Sequence, residues 1–458
     1  MKVIICGAGQ VGYGIAERLA QEDNDVSVID TSAALIANIT ESLDVRGYVG
    51  HGAHPDVLAK AGADQADMLI AVTLFDEVNI VACEVAHAIF SVPTKVARIR
   101  AQNYLAPEYA NLFSRENVPI DVTISPEIEV GRLVLRRISF PGATDVVRFA
   151  DDRIAMVAIE CMEDCPVVDT PLQQLSELFP DLQATVTGIF RNGKLIVPHS
   201  SDQLQTGDLA YVVCDRDHAR RTLALFGHEE QEARRIVILG GGNIGYFVAK
   251  AIEENQPRTR VKLIESDRDR AVMMADKLSN TVVLNGSAMD QRILMQADVQ
   301  DADLVVALTN NDQINILGSM MAKRLGAKST LVLINEPSYQ DFAGTAGVDA
   351  YINPRAVTIS RVLQHVRKGR IRSVYAVQKG MAEVIEAEAL ETSPLVGKAL
   401  RELDLPDGIR IGALYRDQTF IRPHGDTKIK ARDRVVLFAA ADAVRHVEQL
   451  FRVSIQFF

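Results

Sequence analysis

Cysteine is scarce in this chain: Cys6, Cys83, Cys161, Cys165 and Cys214 are scattered and odd in number over 458 residues. Such usage suits reduced thiols better than a disulfide framework. Cys161 and Cys165 form the one close pair, and with no second pair or nearby ligands they are expected to be ordinary thiols and not a metal site. Basic charge is also in deficit, at a formal net charge of -11, which argues against nucleic acid as a partner because phosphate binding needs a basic face. Although 48% of residues are hydrophobic, no uninterrupted apolar run reaches the length of a membrane span. The chain opens directly on a core strand, leaving no room for a signal peptide, so a soluble, cytoplasmic protein is expected. Finally, there is no GxxxxGKS/T phosphate loop and no Ser-His-Asp set that the sequence can define.

What is present is a glycine fingerprint, twice. "KVIIC" (Lys2 to Cys6) is a short β-rich run and "VGYGIAERLA" (Val11 to Ala20) has helical apolar spacing, so "GAGQVG" falls between a strand and a helix. Gly7 permits the tight turn, Gly9 lets backbone approach a pyrophosphate, and Gly12 lets the helix pack on its strand. The amides at the helix start and the helix dipole then favour phosphate. The next strand, "DVSVID", ends on Asp30, 18 residues beyond Gly12, where a carboxylate accepts hydrogen bonds from ribose hydroxyls and repels a 2′-phosphate. In the second copy "RIVILG" leads into "GGGNIG" (Gly240 to Gly245), and "RVKLIE" ends on Glu265, 20 residues beyond Gly245.

The duplication extends well past the glycines. Residues 50–80 match residues 285–316, placing Asp67 on Asp303, Thr73 on Thr309, Asp76 on Asp312 and Asn79 on Asn315. Continuous apolar strands alternating with helices imply a parallel sheet covered on both faces, with the strand ends lining a crevice. Thr73 and Thr309 stand at that edge, as do Arg98 and Arg100, whose counterparts are Leu333 and Asn335. Arginine pairs with phosphate and leucine does not, so the two sites are expected to differ. A smaller unit follows each large one, residues 188–215 paralleling 413–440 with a shared Pro-His at 198–199 and 423–424, in the order β-α-β-β-β-α. His199 and His424 are expected to make structural hydrogen bonds, and His51 and His54, which have no counterpart in the second copy, to be loop residues and not metal ligands.

The fold class expected is thus α/β, with two Rossmann-like doubly wound parallel-sheet domains, each followed by a small α+β domain. The boundaries expected are a first Rossmann-like domain at 1–125, a connecting helix at 126–144, a small domain at 145–229, a second Rossmann-like domain at 233–353, a connecting helix at 354–371 and a second small domain at 372–458. The connecting helices, "EIEVGRLVLRRI" and "RAVTISRVLQHV", offer apolar faces to a partner copy or to their own domain. The basic run "HVRKGRIRS" (His365 to Ser373) is either a solvated linker or a contact for anionic lipid or an acidic partner.

The doubled order of "GAGQVG" to Asp30, "ADMLIAVT", "ARIR" and the small Pro-His domain resembles the cytoplasmic potassium-transport regulators built from RCK domains. The resemblance covers essentially the whole chain. It implies a regulatory gating ring, not an enzyme, with no catalytic residues, docked on a membrane-embedded potassium-translocating subunit of the Trk type. It further implies attachment at the cytoplasmic face of the inner membrane, NAD(H) and ATP or ADP as ligands, and homo-oligomers, with the tetramer the expected state. By the same resemblance Gly7, Ala8, Gly9, Gln10, Val11 and Gly12 form the first phosphate turn, Asp30 reads the ribose, Thr73 and Leu74 line the crevice, and Arg98 is the phosphate-side cation. Gly240, Gly241, Gly242, Asn243, Ile244, Gly245 and Glu265 take the corresponding places in the second half. Two other readings carry different expectations: an NAD-dependent oxidoreductase would add a substrate domain with an acid or base, and a nucleotide-responsive scaffold would have no transport partner.

Overall fold

A computed structural model describes residues 1–451 apart from 23, 180, 230–231 and 367–370. The centre of the basic run between His365 and Ser373 therefore lies outside the described residues. The first six strands are β1 (Lys2–Cys6), β2 (Asp25–Asp30), β3 (Arg46–Val49), β4 (Met68–Ala71), β5 (Thr94–Arg98) and β6 (Val122–Ile124). Then come β7 (Ala143–Phe149), β8 (Ile154–Glu160), β9 (Ala184–Arg191), β10 (Lys194–Ile196) and β11 (Leu209–Asp215). The second half repeats the series as β12 (Arg235–Leu239), β13 (Arg260–Glu265), β14 (Val282–Asn285), β15 (Leu304–Ala307), β16 (Thr330–Leu333) and β17 (Ala350–Ile352), followed by β18 (Ile371–Val377), β19 (Ala382–Glu388), β20 (Ile409–Arg416), β21 (Thr419–Ile421) and β22 (Arg434–Ala440).

These elements form two compact units, one of Met1–Val134 with Arg234–Val366 and the other of Leu135–Ala233 with Arg367–Phe458. The first unit holds both parallel sheets, in the orders β3-β2-β1-β4-β5-β6 and β14-β13-β12-β15-β16-β17. Helices cover both faces, so consecutive residues Val3 to Cys6 of β1 are all buried, which is why the run is apolar without alternation. The strand order reverses between β1 and β4, and there the glycine turn follows β1. Gly7 has φ 112°, closed to other residues without strain, and a Cβ on Gly12 would stand 1.8 Å from the Gly7 carbonyl oxygen. The helix Gln10–Gln21 then turns Ile15, Ala16 and Leu19 onto the sheet.

The connecting helices do not pack on their own domain alone: each reaches the other half of the chain. Val362, Leu363 and Val366 of the helix Pro354–Val366 lie in the core of the first large domain with Ile15, Leu19 and Val28. Ile359 of the same helix sits against Gly14. Reciprocally, Gly131 of the helix Pro126–Ser139 faces the ring of Phe247 in the helix Asn243–Asn255 of the second large domain. The repeated aspartates have a structural role as well. Asp67 accepts a hydrogen bond from the Lys2 amide at 2.9 Å, and Asp303 accepts from those of Arg234 and Arg235 at 3.0 Å, tying the entry of the first strand to that of its neighbour.

The second unit contains two antiparallel sheets, β10-β9-β11-β8-β7 and β18-β19-β22-β20-β21. Each carries one strand more than the sequence order, β7 or β18, paired antiparallel before β8 or β19. The short helix is Leu172–Leu178 in the first small domain but only a 3-10 turn, Leu400–Glu402, in the second. The two sheets share a core that includes Met156, Tyr211 and Val213 from one and Val384, Val436 and Phe438 from the other. Gly188 makes room for the Phe438 ring, and the Tyr375 hydroxyl donates to Asp145 at 2.6 Å. All five cysteines are buried and reduced.

Two expected outcomes follow from these contacts. Gly12→Ala forces apart the turn and its helix and is expected to destabilise the protein by about 2 kcal/mol or more, read as a lower urea midpoint. Burial alone would raise the Asp303 carboxyl, but the Lys328 ammonium and the Arg234 and Arg235 amides pull it down to about 2. A depressed carboxylate contributes stability above its unfolded-state range and loses it on acidification, so stability is expected to fall between about pH 4 and pH 2 and the fall to be shallower in Asp303→Asn.

Candidate functional site

The ends of the parallel strands in the first unit open onto one cleft of about 1680 Å³ lined by both halves. Gly7, Gly9, Gln10 and Val11 of the first turn reach it, together with Asp30, Thr73, Leu74 and Arg98. From the second half come Gly241, Gly242, Asn243 and Ile244. Ala8, Gly12, Gly240, Gly245 and Glu265 stand behind this surface, shaping the turns and not lining the cleft. Neither helix start is capped by a side chain: the helices Gln10–Gln21 and Asn243–Asn255 start at Gly9 and Gly242 with no side-chain cap on their first amides. Such uncapped amides make a helix start receptive to an anion.

The two acids play related but unequal parts. Asp30 accepts from the Ala8 amide at 2.7 Å and the Ser32 amide at 2.8 Å, is only half buried, and remains open to the cleft. Glu265, one methylene longer, reaches under the second turn, where it accepts from the Gly241 amide at 2.8 Å and the Asp267 amide at 2.8 Å. It is 6% exposed. Gly241 itself leaves space for this: a Cβ there would meet Glu265 Oε2 at 3.0 Å and the Met274 sulfur at 2.6 Å.

The crevice edge is held by residues that the sequence marked only as repeated. Asn79 is fully buried; its Oδ1 accepts from the Thr73 amide at 2.9 Å and hydroxyl at 2.8 Å, and its Nδ2 donates to the Arg98 carbonyl at 2.9 Å. Asn315 makes the same set to Thr309 and to the Leu333 carbonyl at 2.9 Å. One amide thus pins the end of β4 to the end of β5, and the other does so for β15 and β16. Asp76 accepts from the Arg100 and Ala101 amides, at 2.9 and 2.7 Å, and Asp312 from those of Asn335 and Glu336, at 2.9 and 2.8 Å. The repetition of Thr73, Asp76 and Asn79 as Thr309, Asp312 and Asn315 was the available signal. Beside them, Leu74 and Phe75 project into solvent at 72% and 65% exposure.

Arg98 faces the cleft with its Nε buried and without a hydrogen-bond partner among the described residues. Burial, and then the neighbouring Arg100, lower its pKa. Arg100 is engaged, donating from Nε to Glu127 at 3.0 Å. A cation left short of hydrogen bonds in the same cleft as uncapped helix amides favours an anionic group there. At the corresponding place in the second half, Leu333 is buried and supplies no charge. His51 also lines the cleft, its ring stacked on that of His54 with centroids 4.5 Å apart. The Pro-His turns are closed differently: the His199 amide donates to Asp202 at 2.7 Å, the His424 amide to Thr427 at 3.0 Å.

The TrkA-N domain family matches residues 3–126 and 236–354, and the TrkA-C domain family matches 156–227 and 384–452. Among curated proteins, the Trk system potassium uptake protein TrkA of Azorhizobium caulinodans is 59% identical over 100% of both chains. That of Halomonas elongata is 41% identical over 100% of both. Among solved structures, the GsuK RCK domain matches with a TM-score of 0.60 at 17% identity, covering 98% of this chain and 94% of that one. The GsuK channel bound to NAD matches with a TM-score of 0.61 at 17% identity, covering 98% and 78%. These structural likenesses concern the fold.

Asn79→Ala strands several buried groups at once. It is expected to cost about 2–4 kcal/mol of stability, read by urea unfolding, whereas Thr73→Val, which removes one hydroxyl, is expected to cost about 1 kcal/mol.

Proposed function

The chain belongs to the TrkA family of Trk potassium uptake proteins, and from that footing we propose that its large domains bind adenine nucleotides and that occupancy regulates a membrane-embedded potassium-translocating subunit. The observation that carries this reading is the convergence of the uncapped first glycine turn, Asp30 and Arg98, whose buried Nε has no hydrogen-bond partner among the described residues, on one cleft. In it the pyrophosphate lies over Gly7, Ala8, Gly9, Gln10, Val11 and Gly12, Asp30 accepts from the ribose hydroxyls, Thr73 and Leu74 flank the ligand and Arg98 neutralises phosphate. NAD(H), ADP and ATP fit this set, and a 2′-phosphate on the ribose is repelled by Asp30. NAD is the ligand named for one GsuK channel structure of the same fold.

Gly240, Gly241, Gly242, Asn243, Ile244, Gly245 and Glu265 form the second and weaker site in this proposal. Leu333 supplies no cation there, and Glu265 is buried behind the turn where Asp30 is half-buried and reaches the cleft. The division into large domains at 1–125 and 233–353 and small domains at 145–229 and 372–458 belongs to the same proposal, with the connecting helices expected at 126–144 and 354–371 shortened to Pro126–Ser139 and Pro354–Val366, since Ala143 and Ile371 already begin strands. Copies of the chain assemble into a ring, a tetramer, at the cytoplasmic face of the inner membrane. A ligand shifts such a ring only through unequal affinity for its conformations. A coupling of roughly 1–3 kcal/mol changes open probability or partner affinity about 5–150-fold.

Calorimetric titration with NADH, ADP and NADPH tests the site assignment. Binding of NADH and ADP but not of NADPH is expected, with Asp30→Ala removing the tighter class of sites and Glu265→Ala only the weaker. Unchanged affinity in Asp30→Ala would refute the assignment.

A further inference from the structure

The first glycine turn is not faced by its own half alone. Gln10, the residue after Gly9, donates from Nε2 to Glu336 Oε1 at 3.5 Å, and that same oxygen accepts from Arg355 Nη2 at 2.7 Å. Gln10, Glu336 and Arg355 all line the cleft with Arg98. Glu336 is held in place by its own amide, which donates to Asp312 at 2.8 Å, and Arg355 is the second residue of the helix Pro354–Val366. The Arg355 side chain is 22% exposed and that of Glu336 48% exposed, so the pair sits at the rim and not in the core. Arg355, then Gln10, hold the Glu336 carboxyl below its usual range.

The internal repeat shows that this arrangement is particular to the first turn. Arg355 occupies the place of Glu127, the residue after Pro126, so the helix start facing the second turn carries an acid where the one facing the first carries a cation. Glu127 is buried and bound to Arg100. At these two equivalent places the first turn has Arg98 and Arg355 where the second has Leu333 and Glu127, while Lys250, Arg270 and Lys277 of the second half also line the cleft.

We propose that Arg355, supplied by the second half of the chain, binds the distal phosphate of a nucleoside triphosphate seated on the first glycine turn, and that Glu336 competes with that phosphate for it. This rests on the nucleotide reading of the cleft. A dinucleotide presents only its pyrophosphate to the turn, whereas a triphosphate extends a further anionic group toward the rim, where Gln10 meets Glu336. Exchange of the carboxylate for phosphate changes what holds the start of the helix whose far end lies in the first domain's core, so the ligand classes act differently on the junction of the two halves.

The test is calorimetric titration of full-length parent, Arg355→Gln and Glu336→Gln with ATP and with NADH, with thermal melts to check folding. Arg355→Gln is expected to weaken ATP by about tenfold, the loss of one charge-assisted contact, and to leave NADH within about twofold. Glu336→Gln is expected to tighten ATP about threefold or more, by removing a competing charge. ATP affinity unchanged in Arg355→Gln, an equal loss for both ligands, or no gain in Glu336→Gln overturns this inference while leaving the nucleotide reading in place. A parent that binds neither ligand overturns both.

Discussion

The packing of the helix Pro354–Val366 into the first large domain is the contact on which the first unit depends. Val362, Leu363 and Val366 complete a core whose other members include Ile5, Ile15, Leu19 and Val28, more than 300 positions away along the chain. Burying each such side chain is worth about 2 kcal/mol, so the first domain's core is finished by the second half of the chain. The reciprocal contact of Gly131 with Phe247 closes the exchange. Two domains that look independent along the chain therefore form one folded unit, and the cleft between their strand ends is a property of that unit.

Duplication gives this unit an approximate internal symmetry, and the departures from it concentrate in the cleft. The framework is the same in both halves: Asn79 and Asn315 pin neighbouring strand ends, Asp76 and Asp312 hold the following loops, and Asp67 and Asp303 tie the strand entries. The groups presented to the cleft differ. Arg98 stands against Leu333, Arg355 against Glu127, and an open Asp30 against a buried Glu265. A shared scaffold with unequal charges is a physical basis for two unequal sites, whereas a perfect repeat would give two equal ones.

The legible part of this architecture was local. Continuous apolar runs identified the parallel strands, since a strand covered on both faces needs no alternation, and the two glycine fingerprints located both turns. The extra strands β7 and β18 were not read because "ATDVVRF" and "IRSVYAV" adjoin helices and carry polar residues among the apolar ones. The second short helix was over-read because the apolar spacing in "PLVGKALREL" resembles a helix, whereas only Leu400–Glu402 turn, and those as a 3-10 turn. In the cleft, Gln10 was marked as a turn residue, but Glu336 and Arg355 carried no local signature.

The sequence by itself determined the doubled α/β plan, the position of each glycine turn, the acid that follows it and the asymmetry of Arg98 and Leu333, because each depends on a residue's type and its spacing within one βαβ unit. The tertiary structure decided which half completes which core, which acid stays open to the cleft, and that Glu336 and Arg355 meet Gln10. Those relations join residues hundreds of positions apart, and side-chain burial and reach, which no local pattern encodes, settle them.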